Sequence, residues 1–492
     1  MPKNDRPNIL LIMSDQHSPH ILGAYGNGIV RTPNLDALAA NGIRFDSMYC
    51  PSPLCVPSRM SFLTGRTPTA NRVWTNYHML PSDIPTFAHA LGGADYETAL
   101  IGRMHFMGPD QRHGFEKRPL GSYFATPYLG APGFGAPLFG KISPGTSGQG
   151  RMSVDVSGYG RTTYQAFDDL VTDATIAYLD VRANEGDSRP FAAVAGFVLP
   201  HCPYFAPKDL FDYYYERIEL PRFTDEERET EPEYIRLVRE KRDFVDPVPE
   251  ERIRIALASY YGLIEYMDRN IGRIIDALDR SGLREETLVI YTSDHGDHGG
   301  EHGLWSKGTY YEASVGVPFI ASMPGLVNGG IASDIVCNLY DIGPTLIDFA
   351  GADPLPDTIG RSFKHALTGG TVPDWSNETY SEHLDGGDVT MPSRMVRRGP
   401  WKYAIYHGTA PTLFNLDTDP EELVNLAGDP AFRAIEAELA ECVSEGWDPD
   451  YSLTENAQSQ RNVRALTKWG RAVHPRHPDV IDVPDVEDIT IL

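Results

Sequence analysis

The 492-residue chain has five cysteines, Cys50, Cys55, Cys202, Cys337 and Cys442. So sparse and odd a set gives no disulfide framework and fits reduced thiols, so a cytoplasmic protein is expected. Long hydrophobic runs are also missing. The apolar stretch 8–13 is too short for a secretory leader and is followed by Asp15. No run approaches the roughly 20 apolar residues that cross a bilayer, so no membrane association is expected. Basic residues are scarce: 43 Lys and Arg against 68 Asp and Glu leave a net charge of −25. This argues against nucleic acid as a partner. Any anionic ligand must be attracted locally, by clustered cations or a metal. Repeats and low-complexity tracts are absent.

What remains is an ordinary globular balance, 41% hydrophobic and 23% charged, in a chain longer than one average domain. Short apolar, β-branched runs at 8–13, 97–101, 191–199, 287–292 and 317–322 alternate with helical patterns at 33–41, 164–182, 252–280 and 342–350. That alternation predicts an α/β fold, a mostly parallel sheet with helices on both faces. The Gly- and Pro-rich segment 121–160 predicts a long irregular loop, of the kind that forms lids or binding loops. The charged, Pro-punctuated segment 205–249 predicts an inserted helical cap. A catalytic domain over 1–375 and a smaller α+β subdomain over 376–445 are expected. The weakly periodic tail 446–492 wraps either the core or a partner subunit.

Polar residues cluster just past four predicted strands, where open α/β sheets build their sites. They are Asp15 and Gln16, Arg103 and His105, His201, and Asp294 and His295. Near Cys55, Pro57 suits a helix's first turn and 58–64 reads as a short helix. The side chain at 55 then lies beside a helix N-terminus, which favours an anion, and Arg59 adds a fixed cation.

The run C-V-P-S-R-M-S-F-L-T-G around Cys55 resembles the signature of the sulfatase family, C/S-x-P-S-R-x-x-x-L-T-G, at every fixed position. The resemblance extends over about residues 7–445 and implies an alkaline-phosphatase-like sandwich with a small C-terminal antiparallel sheet. Trp401, Lys402 and Tyr403, with 413–416, carry the match to that subdomain. The resemblance further implies that a formylglycine-generating enzyme oxidises Cys55 to Cα-formylglycine, whose hydrate is the family's nucleophile. Asp15, Gln16, Asp294 and His295, with an oxygen of modified Cys55, match the ligands of one divalent metal. Sulfatases usually carry a second Asp where Gln16 stands, and Asn or Gln where His295 stands. The imidazole favours Mn²⁺ over Ca²⁺, which the oxygens alone would suit. The Asp-Gln and Asp-His pairs look more like choline sulfatases and phosphonate monoester hydrolases.

The same resemblance gives the other roles. Arg103 replaces the usual Lys. His105 matches the His that contacts formylglycine and serves as a base. His201 is the general acid at the leaving group, and Lys307 meets a sulfate oxygen and the leaving group. Asn76 is similar to a polar group near the anion. Asp297, His298 and His302 lie close by in sequence. The expected activity is hydrolysis of small anionic sulfate monoesters, aryl ones foremost, with promiscuous phosphodiester and phosphonate monoester hydrolysis. The alternatives are a phosphonate monoester hydrolase or phosphodiesterase, and a choline sulfatase. A homo-oligomer is the expected assembly.

Overall fold

The computed structural model describes residues 6–122, 144–184, 186–384, 391–481, 486 and 488–492. Its centre is an eight-stranded sheet: β1 Asn8–Asp15, β2 Ile43–Phe45, β3 Glu97–Gly102, β4 Lys117–Leu120, β5 Phe191–Pro200, β6 Thr287–Ser293, β7 Phe319–Ser322 and β8 Ile331–Ser333. The strand order is β8-β2-β7-β6-β1-β5-β3-β4. All run parallel except β7, which is antiparallel to both β2 and β6. The mostly parallel α/β sheet expected from the alternating runs is therefore present.

Both faces of β1 are buried, as a sheet covered by helices requires. Successive strand residues point to opposite faces. Ile9, Leu11 and Met13 join a core with Val56, Met60 and Leu63, on the side of the Cys55–Thr64 helix. Leu10 and Ile12 join the opposite core, with Phe167 and Val171 of the Thr163–Asn184 helix and Leu263 and Ile264 of the Glu250–Arg280 helix.

Of the irregular loop expected at 121–160, residues 123–143 lie outside the described residues, and the rest is partly regular, with a short helix, Met152–Asp155, and a strand, Gly158–Arg161. Within 205–249 are three helices, Lys208–Tyr215, Asp225–Glu229 and Glu233–Lys241. A four-stranded antiparallel sheet, Glu378–Leu384, Pro392–Arg398, Trp401–Tyr406 and Thr412–Asn415, packs against the Arg433–Ser444 helix through Val396, Tyr403, Leu413, Leu439 and Val443.

The tail differs from its sequence reading. It holds a 25-residue helix, Pro449–Val473, whose buried positions are Ser452, Asn456 and Gly470 rather than an apolar stripe. Its Tyr451 ring meets Trp74 edge-on at 5.9 Å. The chain then crosses its own body, where Asp488–Ile491 pairs antiparallel with Gly158–Arg161. No helix among the described residues is long and apolar enough to cross a membrane.

Candidate active site

The alternation of β1 carries one step further at its C-terminal end. Asp15, its last residue, shares the parity of Ile9, Leu11 and Met13, and so faces the Cys55–Thr64 helix. That helix begins at Cys55 itself, three residues earlier than the sequence suggests. Its preceding residue Leu54 offers no side-chain cap. Asn76 takes that task, with Oδ1 accepting the Val56 N–H at 2.9 Å. Asn76 therefore holds the helix start that presents Cys55.

Asp15, Cys55, Asp294 and His295 come together with donor atoms within 4.8 Å of one another, all buried. Cys55 Sγ lies 3.2 Å from His295 Nε2 and 3.7 Å from Asp15 Oδ1. This sulfur stands in for the hydroxyl oxygens that a converted residue 55 carries. Each ligand candidate is oriented from behind, the usual construction of a metal site. His295 Nδ1 donates to the Gly296 carbonyl at 3.0 Å, which leaves the Nε2 lone pair for the cluster. Asp15 Oδ2 accepts from Arg103 Nε at 2.7 Å and from an Arg59 Nη at 3.1 Å. Asp294 Oδ2 accepts from Arg59 Nε at 2.8 Å. The other oxygen of each carboxylate lies beside His295 Nε2, at 3.7 and 3.6 Å. Burial works to raise the Asp15 pKa, but Arg103, His201, Arg59 and Lys307 hold it well below the carboxylate range. Burial lowers the His295 pKa and keeps the ring neutral. Two anionic oxygens and a neutral imidazole nitrogen converging in a buried space fit a divalent cation.

Arg59, the fixed cation beside residue 55, has four of its five N–H donors engaged by protein oxygens. Fully buried, it also gives its Nη groups to the Arg103 and Ser14 carbonyls, at 3.2 and 3.3 Å. It braces the two carboxylates. Arg103 behaves similarly, and a further Nη donates to His105 Nδ1 at 2.9 Å. Guanidinium has no acceptor, so the neutral His105 ring carries its proton on Nε2. Burial and the Arg103 charge keep its pKa well below the usual histidine value. In this arrangement the ring offers an N–H at Nε2, not the lone pair that the expected base would need there.

A second group lies on the other side. Lys307 Nζ donates to Gln16 Oε1 at 2.6 Å and to His201 Nε2 at 2.9 Å. His201 Nδ1 in turn lies 2.5 Å from the Cys202 carbonyl, which fixes the proton on Nδ1. Burial works against the Lys307 charge, but Cys55, Asp15 and Asp294 raise its pKa above the ordinary lysine value. Gln16 sits at φ 70°, its N–H on Asp294 Oδ1 at 3.1 Å and its side-chain oxygen engaged by Lys307. The charged 205–249 segment supports this region. Arg239 donates to the His302 and Gly303 carbonyls at 2.8 and 3.0 Å, and Arg242 holds the Lys307 carbonyl.

His298 and His302 are apart from the cluster. His298 Nε2 pairs with Thr309 Oγ1 at 3.0 Å, and His302 stacks on Tyr311 at 3.8 Å. Asp297 accepts from Gln16, Tyr204 and two backbone N–H groups. The sequence places Asp297 beside the metal ligands without assigning it a task. It gives no signal for Tyr204 beyond a place three residues after His201.

A family model described as Sulfatase matches residues 7–352, and one described as N-sulphoglucosamine sulphohydrolase, C-terminal, matches residues 300–446. A choline-sulfatase of Rhizobium meliloti is 34% identical over 451 residues, covering 88% of this chain and 85% of that protein. An arylsulfatase of Clostridium perfringens is 31% identical over 470 residues, covering 87% and 92%. The crystal structure of the phosphonate monoester hydrolase of Agrobacterium radiobacter superposes with TM-score 0.74 at 24% identity, covering 92% of this chain and 96% of that one.

Proposed function

The chain belongs to the sulfatase family, and from that premise we propose that it hydrolyses sulfate monoesters, aryl esters foremost, through a formylglycine made from Cys55. The observation that supports this most is the buried Asp15–Cys55–Asp294–His295 group facing the Lys307–His201 pair. One member set presents a nucleophile position beside a cation site, and the other presents donors for a departing oxygen.

A divalent cation held by Asp15, Asp294 and His295, with the expected ligand Gln16 beside them, would supply Lewis acidity there, and formylglycine would supply a hydroxyl nucleophile. The chain's own residues do the rest. Arg59 and Arg103 offset the carboxylate charges and fix their inner oxygens toward residue 55. Asn76 fixes the helix start. Lys307 has three N–H donors, two of them placed on Gln16 and His201. Its charge, held in a buried site, stabilises negative charge developing on the leaving oxygen. His201 Nε2 accepts from Lys307, so proton delivery to that oxygen starts from the Lys307 ammonium, which His201 holds in place, and the pair regains its proton from water, because the one proton of neutral His201 is held on Nδ1 by the Cys202 carbonyl.

Sulfate monoesters, phosphodiesters and phosphonate monoesters each carry one negative charge on a tetrahedral centre, so phosphodiester and phosphonate hydrolysis follow as side activities of one site. The phosphonate monoester hydrolase of Silicibacter pomeroyi, 25% identical with TM-score 0.73, is in keeping with this. A choline ester is the second reading, favoured by the 34% identity to the choline-sulfatase. Comparing kcat/KM for an aryl sulfate, choline sulfate, a phosphonate monoester and a phosphodiester, on fully converted enzyme, tests the assignment. The aryl sulfate is expected to lead. A lead by choline sulfate moves the assignment to the second reading, and a lead by either phosphorus ester overturns it.

A further inference from the structure

The segment that carries Lys307 is held at its far end by the C-terminal subdomain. Arg242 holds the Lys307 carbonyl, and Tyr234 Oη donates to the Gly308 carbonyl at 3.3 Å. Ser314 Oγ, on the short helix Glu312–Val315, accepts the N–H groups of Gly308 and Thr309 at 3.1 and 3.4 Å. The residue before that helix, Tyr311, gives it no side-chain cap. Glu422 supplies one from 110 residues away, its Oε2 accepting the Glu312 N–H at 2.6 Å.

The other oxygen of Glu422 pairs with Lys402 Nζ, in the Trp401–Tyr406 strand. Lys402 Nζ also donates to Glu312 Oε1 at 2.8 Å. Glu312 Oε2 accepts from Tyr49 Oη at 3.0 Å, and that hydroxyl accepts from Arg397 Nε at 2.9 Å. Glu422 and Lys402 are 4% and 2% exposed. Two carboxylates and two cations thus form a buried group balanced in charge, as burial demands. Glu422 is held there at φ 56°, a backbone conformation that a non-glycine residue keeps where its surroundings over-determine it. The C-terminal end of the short helix is anchored separately, because the Cys50 N–H bonds the Val315 carbonyl and the Val317 N–H bonds the Met48 carbonyl, each at 2.9 Å. At that end the Ser314 carbonyl accepts the Gly296 N–H at 2.9 Å, beside His295, so the cation side of the site is held without Glu422. The N-terminal end, continuous with the segment from Lys307, depends on Glu422.

We propose that Glu422 is a positioning residue for leaving-group departure, acting through the Glu312 helix start and Ser314 on Lys307. The proposal rests on the reading that this site cleaves esters with Lys307 at the departing oxygen. Glu422 meets two donors, one on each oxygen. Glu422→Gln keeps the size but offers one oxygen for both, so its amide N–H must face either Lys402 or the Glu312 N–H. It also leaves the buried group with an unbalanced positive charge. Adding Lys402→Met removes both defects. The amide introduced at position 422 can then accept the Glu312 N–H and donate to Glu312 Oε1 in place of the lysine, and Glu312 and Arg397 balance each other.

The test uses converted full-length enzyme, saturated with Mn²⁺, on aryl esters graded in leaving-group pKa, of whichever ester class the wild type turns over. Failure of the sulfate-ester reading then shows in the wild type alone and leaves the graded series usable. Glu422→Gln should slow the most basic leaving groups at least about tenfold more than the most activated, a lost share of the ~10²–10⁴-fold that proton assistance supplies. Glu422→Gln with Lys402→Met should return the slope to that of wild type. Mn²⁺ titrations of the three proteins should give the same affinity. A residue that only ties the subdomain to the catalytic domain would lower all esters alike. Equal losses, an unchanged slope, no rescue by Lys402→Met, or a weaker Mn²⁺ affinity in Glu422→Gln overturns the proposal. Lys307→Ala on the same series tests the reading beneath it. An unsteepened slope there refutes that reading and the proposal with it, whereas steepening there without steepening in Glu422→Gln refutes the proposal alone. If Glu422→Gln does not fold, Ser314→Ala decides. It leaves both Glu422 pairings in place, removes the acceptor of the Gly308 and Thr309 N–H groups, and must steepen the slope in the same way; an unsteepened slope overturns the proposal.

Discussion

His295 Nε2 lies 3.2 Å from Cys55 Sγ while its Nδ1 lies 3.0 Å from the Gly296 carbonyl oxygen. One ring nitrogen is anchored to the backbone, and the other is offered, unprotonated, to the space shared with Asp15 and Asp294. Nitrogen at this position favours a transition metal over Ca²⁺. Chelation should abolish turnover, and Mn²⁺ should restore it at least as well as Ca²⁺. His295→Asn should move the preference toward Ca²⁺. Metal analysis of the isolated protein with reconstitution assays checks this; stoichiometric Ca²⁺ with no recovery in Mn²⁺ contradicts it.

Arg59 donates to both Asp15 and Asp294 with no exposed surface. Arg59→Met removes one member of a buried charge network and leaves two carboxylates facing each other. Metal-free protein should lose about 3–5 kcal/mol of stability. Mn²⁺ should stabilise the variant more than it stabilises wild type, because the cation takes over part of the missing positive charge. Denaturant titrations with and without Mn²⁺ measure both effects. An equal metal response in the two proteins contradicts the bracing role.

The Lys307–His201 pair at 2.9 Å predicts a split by leaving group. His201→Ala should slow esters of basic alcohols about 10²-fold or more, and activated aryl esters much less. Lys307→Ala should slow every class, since each transition state uses its charge. Equal losses across leaving groups for His201→Ala would place His201 outside proton delivery.

His78 gives a pH prediction away from the metal cluster. It is 2% exposed, accepts the Trp74 N–H at 3.0 Å, and burial lowers its pKa to about 4. The unfolded chain binds this proton first, so the stability contribution is complete above pH 6.5 and is lost as pH falls from there toward 4. At pH 5 the loss is about 2 kcal/mol. The fall in stability between pH 7 and 5 should be shallower in His78→Gln than in wild type, read from denaturant midpoints at each pH. Parallel curves would contradict it.

Much of this was legible in the residues. Strands β1, β3, β5 and β6 announce themselves as unbroken apolar runs, and the polar residues after them mark the site's edge. The reversed direction of β7 was not legible, because direction depends on pairing between distant segments. The Pro449–Val473 helix is not legible for a local reason: it buries Ser452, Asn456 and Gly470 and exposes Trp469 and Val473, so its hydrophobic period is faint. At the site, motif and spacing identify which residues gather but not how their hydrogen bonds run. That Arg59 faces carboxylates, that Arg103 sets the His105 tautomer and that Asp297 holds the Gln16 amide all depend on donor directions that only the folded chain displays.

The central claim is that one site built on residue 55 cleaves sulfate monoesters and, less well, phosphorus esters of the same charge. The most direct test compares fully converted wild type, unconverted thiol protein and Cys55→Ala on an aryl sulfate and a phosphodiester, with conversion measured by peptide mass spectrometry. Both activities should rise in proportion to conversion and vanish together in Cys55→Ala. Sulfatase turnover at the wild-type rate in Cys55→Ala, or loss of one activity while the other persists, would contradict it.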